Sequence, residues 1–147
     1  QIPLDEGEEL LGAFWKAFPA SRQYRDEIRK TRDYVQTIYG RKYWLNPYQF
    51  GFENNCLNSP VQGSAADIIK IAGYKFQLAV EKAVYSEFVF LINYIHDELL
   101  VECREDLKDW TVETLREIML KTAEDTHDGV PAEIEIGFGQ NWAEAHA

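Results

Sequence analysis

The stretch LINYIHDELLVE, Leu91 to Glu102, decides how this chain is read. A mostly apolar run leads into His96-Asp97-Glu98, and a second apolar run follows at once. FVFLINYI and LLVEC have the composition of half-buried strands, and so few residues join them that the triplet lies at or beside a hairpin turn. Two rigid strands then hold a carboxylate at the edge of a sheet. Hard divalent cations such as Mg2+ prefer oxygen ligands and take only one or two protein carboxylates beside water and phosphate. Two-metal phosphoryl transfer needs a further carboxylate from elsewhere in the structure. On these residues alone the choice stays open, because Asp also favours turns through hydrogen bonds to its own backbone.

Working outward, residues 8–18 space their apolar side chains as a helix that stops at Pro19. Ser21 can cap a second helix over roughly 21–32, with Tyr24, Ile28 and Val35 inward. YVQTIYGRKYWL reads as strand, Gly40-containing turn and strand, and Asn46-Pro47 breaks the pattern. A short helix is expected over about 48–57, interrupted by Asn58-Ser59-Pro60, with Pro60 in the first turn of a long helix to about 84. Ile68, Ile69, Ala72, Phe76 and Ala79 form its apolar stripe. After the two central strands, residues 107–126 form an amphipathic helix with Leu115, Ile118, Met119 and Ala123 inward, ended by Gly129. AEIEIGFG alternates strictly and reads as a last strand with Ile134, Ile136 and Phe138 on one face. The order predicts an α+β fold, with helices packed on one face of a small antiparallel sheet.

The 147 residues suffice for one domain with a real core, and 46% hydrophobic composition excludes a disordered chain. No apolar run is long enough to span a bilayer, so no membrane partner is expected. The net charge of −10 opposes binding to a polyanion, but it is unevenly spread. Residues 16–45 hold eight Lys/Arg against three Asp/Glu, whereas residues 97–147 hold four against fourteen. That asymmetry suits a piece with one face toward nucleic acid. On charge alone, Arg22, Arg25, Arg29, Lys30 and Arg32 equally suit the solvated side of a helix. Cys56 and Cys103 lack metal-like spacing and read as reduced thiols. The four tryptophans read as core, and His127 and His146, which have no partners at ligand spacing, as surface or cap residues.

LINYIHDELLVE resembles motif C of the family A (DNA polymerase I-like) DNA polymerases, whose palm hairpin carries His-Asp-Glu between apolar strands. NSPVQGSAADIIK, Asn58 to Lys70, resembles the family's N-x-P-x-Q-G-[ST]-A-A-D helix start. Phe18-Pro19, the YVQTIYGR hairpin and the ending EIEIGFGQNW match in order and with the right gaps. The resemblance implies a partial right-hand polymerase domain spanning 1–147, with 1–45 leading into a palm core at 46–147. It makes Asp97 the metal-binding catalytic aspartate and Glu98 its acidic catalytic neighbour, and it places His96 near the primer 3′ end. Asn58 and Gln62 would contact the minor groove of primer-template DNA, where amides meet acceptors common to all base pairs. Separately from the resemblance, Trp44 in the basic run with Arg41, Lys42 and Tyr43 suits contact with template backbone. The implied cofactor is a pair of Mg2+ ions shared with a motif A Asp.

That motif A run, D-x-S-x-x-E-L-R, has no counterpart here, nor does the fingers helix that handles the incoming dNTP. The expectation is therefore a cytoplasmic chain, bacterial or from a phage-infected host, inactive without an N-terminal polymerase fragment or subunit. Tyr94 stands where many bacterial members have Gln, and Asn54 where they often have Arg. The aromatic before Ile-His-Asp-Glu and the GQNWAEAH ending look more like phage enzymes than cellular repair enzymes. A non-catalytic DNA-binding or assembly subunit, or a fragment of a phage-type RNA polymerase, are the rival expectations. Glu98 after the Asp and NSPVQGSAAD favour the DNA enzyme.

Overall fold

The computed structural model describes residues 3–31, 33–126 and 129–146, so Arg32 and His127 lie outside the described residues. Residues Gln1–Gly63 and Ser64–Ala147 form two compact units. In the first, α1 (Leu4–Ala17) has Asp5 and Glu6 in its first turn and Lys16 in its last, each favourable to the helix dipole. α2 (Pro19–Ile28) begins two residues earlier than the expected Ser21 cap, because Pro19 at its start has φ already set for a helix. Neither helix contains a buried residue, and Tyr24 stays 39% exposed. β1 (Tyr34–Gln36) and β2 (Lys42–Trp44) pair antiparallel around a turn in which Gly40 has φ +79°. Val35 and Thr37 are buried.

α3 is one helix of 31 residues, Phe52–Lys82, where two were expected. Pro60 lies inside it. A proline withholds one rung and costs about 3 kcal/mol in a helix interior, and the helix continues through it although Asn58, Ser59, Val61 and Gly63 beside it are weak helix formers. α3 ends in a Schellman arrangement: the Tyr85 N–H donates to the Val80 carbonyl and the Val84 N–H to the Glu81 carbonyl. Val84 holds the left-handed position, φ +61°, where glycine is usual.

In the second unit, β3 (Val89–Ile95) and β4 (Glu98–Cys103) form the central hairpin. A 3-10 turn at Glu105–Leu107 leads into α4 (Lys108–Glu124). Ile69, Ala72, Phe76 and Val80 of α3 cluster with Val89, Leu99, Leu107 and Leu115. Trp110, Ile118 and Met119 of α4 and the partly buried Cys103 pack around them. Helices therefore cover one face of the hairpin, as the α+β reading expects, and burial of each large side chain is worth about 1.5–3 kcal/mol.

The expected last strand does not form: residues 130–139 carry no strand pairing, and α5 (Trp142–Ala145) follows. Its two glycines explain why. A Cβ on Gly137 would lie 1.7 Å from the Ala145 carbonyl oxygen, and one on Gly139 would lie 2.4 Å from Glu144 Cβ. The segment spends its glycines on close approach to α5 instead of pairing in a sheet. Arg116 donates to the Ile134 carbonyl and Lys108 sits over the Phe138 ring, tying the segment to α4. The tryptophan expectation holds only for half of them: Trp15 and Trp110 are partly buried, whereas Trp44 and Trp142 are exposed.

Candidate functional site

The hairpin closes with Ile95 opposite Glu98, so His96-Asp97 is a two-residue turn. Only its first residue has positive φ, +52° at His96. Two-residue hairpin turns need left-handed backbone, and glycine is the usual occupant of such a position. His tolerates it better than most residues, at a cost of order 1 kcal/mol. The ladder also slips once: Leu91 pairs with Val101 and Asn93 with Leu100, leaving Ile92 as a bulge. The bulge reverses the facing of every later residue. Tyr94 thereby shares a face with its partner Leu99 and lies on α3, its hydroxyl 2.3 Å from where a Cβ on Gly73 would be. The tip is thus braced from one side by an aromatic ring over a glycine.

The three ionisable residues have different surroundings. His96 and Asp97 are exposed, and Asp97 makes no side-chain hydrogen bond or ion pair with another described residue. Glu98 is half-buried and both its oxygens are taken. Trp142 Nε1–H donates to Oε1 at 3.3 Å, and His146 Nε2 lies 3.0 Å from Oε2. His146 Nδ1–H donates to the Trp142 carbonyl at 2.8 Å. That carbonyl and then Glu98 raise the His146 pKa above its ordinary 6.5, against slight desolvation. His146 is exposed and is the C-cap of α5, in line with the expected surface or cap residue, and no ligand spacing connects it to a residue 48 positions away. The local signal was N-x-x-E at Asn141–Glu144, which caps the short helix carrying it.

In the first unit, Asn58 and Gln62 are exposed, four residues apart on one side of α3, and both amides are free of other described side chains. Arg41 is exposed, and its guanidinium donates to the Gly63 carbonyl at 3.0 Å and stands 5.5 Å from the Tyr43 ring centroid. Gly63 permits this docking, since a Cβ there would meet Thr37 Cγ2 at 2.8 Å. A cleft of about 250 Å3 opens beside it, lined by Tyr43, Trp44, Asn46, Gln49, Asn55 and Ser59 among others. Much of the basic row is occupied internally. Arg22 and Arg25 pair with Asp26, Arg29 with Glu53, and Lys42 lies over Tyr34 and Trp44.

Among the described residues no three His, Cys, Asp or Glu side chains gather into a metal-binding group. At the turn, what a hard cation would meet is the exposed Asp97 carboxylate, an oxygen donor of the type such ions take. No helix among the described residues is long and apolar enough to cross a membrane.

The sequence matches the family model for DNA polymerase family A over residues 1–144. It is 29% identical to DNA polymerase I of Aquifex aeolicus, covering 97% of this chain and 24% of that one. With DNA polymerase I of Pseudomonas aeruginosa the identity is 31%, over 96% of this chain and 16% of that one. The structure superimposes with a TM-score of 0.82 on the POL domain of Pol1 from M. smegmatis, solved in complex with DNA primer-template and dNTP. That match is 29% identical and covers 99% of this chain and 27% of the other. The chain thus spans about a quarter or less of the length of these relatives.

Proposed function

Because this chain belongs to DNA polymerase family A, we propose that it is the C-terminal palm portion of a template-directed DNA polymerase, with 1–45 leading into a palm core at 46–147. The observation that carries this reading is the contrast at the turn. Asp97 is exposed and uncommitted at the apex of a hairpin rooted in the core, while its neighbour Glu98 is fully engaged. A carboxylate presented in this way is preorganised: it needs no rearrangement to meet a cation or phosphate.

Bound Mg2+ supplies charge neutralisation at the phosphates and at the attacking and leaving oxygens. Asp97 would hold it here, together with a motif A carboxylate contributed from outside these 147 residues. Asn58 and Gln62 point unspent amides outward from one side of α3, which suits sequence-blind contacts to minor-groove acceptors of primer-template DNA. Exposed His96 is the turn residue nearest to meet the primer terminus. Arg41, docked on Gly63, acts first as a brace for the β1–β2 hairpin, and from there it would touch template backbone. The incoming dNTP is handled by residues of an N-terminal fragment or subunit, and the assembly works in the cytoplasm of a bacterium or a phage-infected host.

The test is primer extension by the purified chain alone and after mixing with the portion bearing motif A and the fingers. Extension only by the mixture is expected. Robust extension by the isolated chain, or none by a correctly associated mixture, would overturn the reading.

A further inference from the structure

We propose that Trp142 and His146 are positioning residues: acting through Glu98, they hold the His96–Asp97 turn in place and keep the Glu98 carboxylate away from the metal. The proposal rests on the polymerase reading for its consequence, but not for its geometry. Both Glu98 oxygens accept hydrogen bonds from the C-terminal segment, one from the indole and one from the imidazole. Glu98 pairs with Ile95 as the last rung before the turn, so fixing its side chain fixes the base of the turn opposite the face where Tyr94 packs.

The imidazole has only acceptors before it, a backbone carbonyl at Nδ1 and a carboxylate at Nε2. A neutral ring has one N–H and can satisfy one of these; the imidazolium satisfies both. The platform is itself built for rigidity. Asn141 accepts from the Glu144 N–H, Glu144 accepts from the Gln140 N–H and the Asn141 amide, and the indole and imidazole rings meet edge to face at 5.1 Å. Gly137 and Gly139 let the preceding chain lie directly against it.

Two measurements test the brace. In the purified chain, the His146 imidazole is titrated by NMR with and without Glu98→Gln. The variant is expected to bring its pKa down toward 6.5, and an unchanged titration overturns the pairing. In the assembled polymerase, single-turnover dNTP incorporation is measured over a range of Mg2+ concentrations for Glu98→Gln, His146→Ala and the double variant. Each single variant is expected to slow incorporation roughly two- to fivefold, the scale of an exposed charged pair. The double variant should be no slower than the slower single, and the half-saturating Mg2+ concentration should not move. His146→Gln, which keeps one donor toward Glu98, should recover part of the rate. Additive losses, or a raised Mg2+ requirement in Glu98→Gln alone, would overturn the proposal by making Glu98 a metal ligand. A titration shift without any Asp97-dependent incorporation would sink the polymerase reading and leave the brace standing.

Discussion

Replacing Gly137 with Ala should uncouple the C-terminal segment from the hairpin without unfolding the protein. The new Cβ would lie 1.7 Å from the Ala145 carbonyl oxygen and 2.9 Å from its carbon, where ordinary contact begins at 3.4 Å. The oxygen is backbone and cannot rotate away, so α5 must retreat by about the missing 1.7 Å. If everything else stayed rigid, overpacking of this kind would cost about 1–3 kcal/mol. The cheaper response is release of α5, which contains no buried residue and so gives up little hydrophobic burial. The expected loss in urea-unfolding free energy is therefore below about 1 kcal/mol, against about 3–5 for truncating the fully buried Phe76. The hydrogen bonds to Glu98 would be lost with α5. Trp142 emission should shift to the red and the His146 titration should move toward its ordinary value, while far-UV circular dichroism stays unchanged. A variant with wild-type Trp142 and His146 signals would refute the close-approach reasoning, and a globally unfolded one would show that the segment belongs to the core.

Val84→Gly should stabilise the chain by about 1 kcal/mol, read as a rise in the urea midpoint, because it removes a β-branched residue from the left-handed end of α3. Gln62→Ala in the assembled enzyme should weaken primer-template binding about three- to tenfold and uniformly across sequences, as loss of one unshared amide contact implies; a sequence-dependent defect would contradict minor-groove contact. The His146 pKa is raised in the folded chain by the Trp142 carbonyl and Glu98. Its contribution is therefore fully present below 6.5 and is lost as pH rises through the elevated value. Hydrogen exchange at the α5 amides, corrected for the intrinsic pH dependence, should accordingly show protection falling on the alkaline side of 6.5, with a smaller step in Glu98→Gln, where only the Trp142 carbonyl still favours the charged ring.

The turn and its flanking strands were legible because a run of apolar residues on each side of His96-Asp97-Glu98 leaves little room for any other local structure. The α4 face was legible from its 3.6-residue period, which places Leu115 and Ala123 inward as observed. The bulge at Ile92 was not, since nothing in LINYI distinguishes it from an unbroken strand. Pro60 misled because its local cost is real but smaller than the gain from continuing α3. AEIEIGFG misled because alternation shows which faces differ, not whether a partner strand is present, and its glycines answer to α5. Among the candidate residues, Asp97 is singled out by its motif, whereas the engagement of Glu98 depends on a contact 48 residues away that only the folded chain reveals.

The central claim is that Asp97 alone among the turn carboxylates is free to bind the catalytic cation. Its most direct measurement is single-turnover primer extension by the reassembled enzyme carrying Asp97→Asn, beside a Mg2+ titration of the same complex. The substitution keeps size and turn propensity and removes only the charge, so folding and association should be unchanged. Incorporation should fall by at least about a thousandfold, the scale expected for losing a charged group that stabilises the transition state. Incorporation within a few-fold of wild type, with an unaltered Mg2+ dependence, would contradict it.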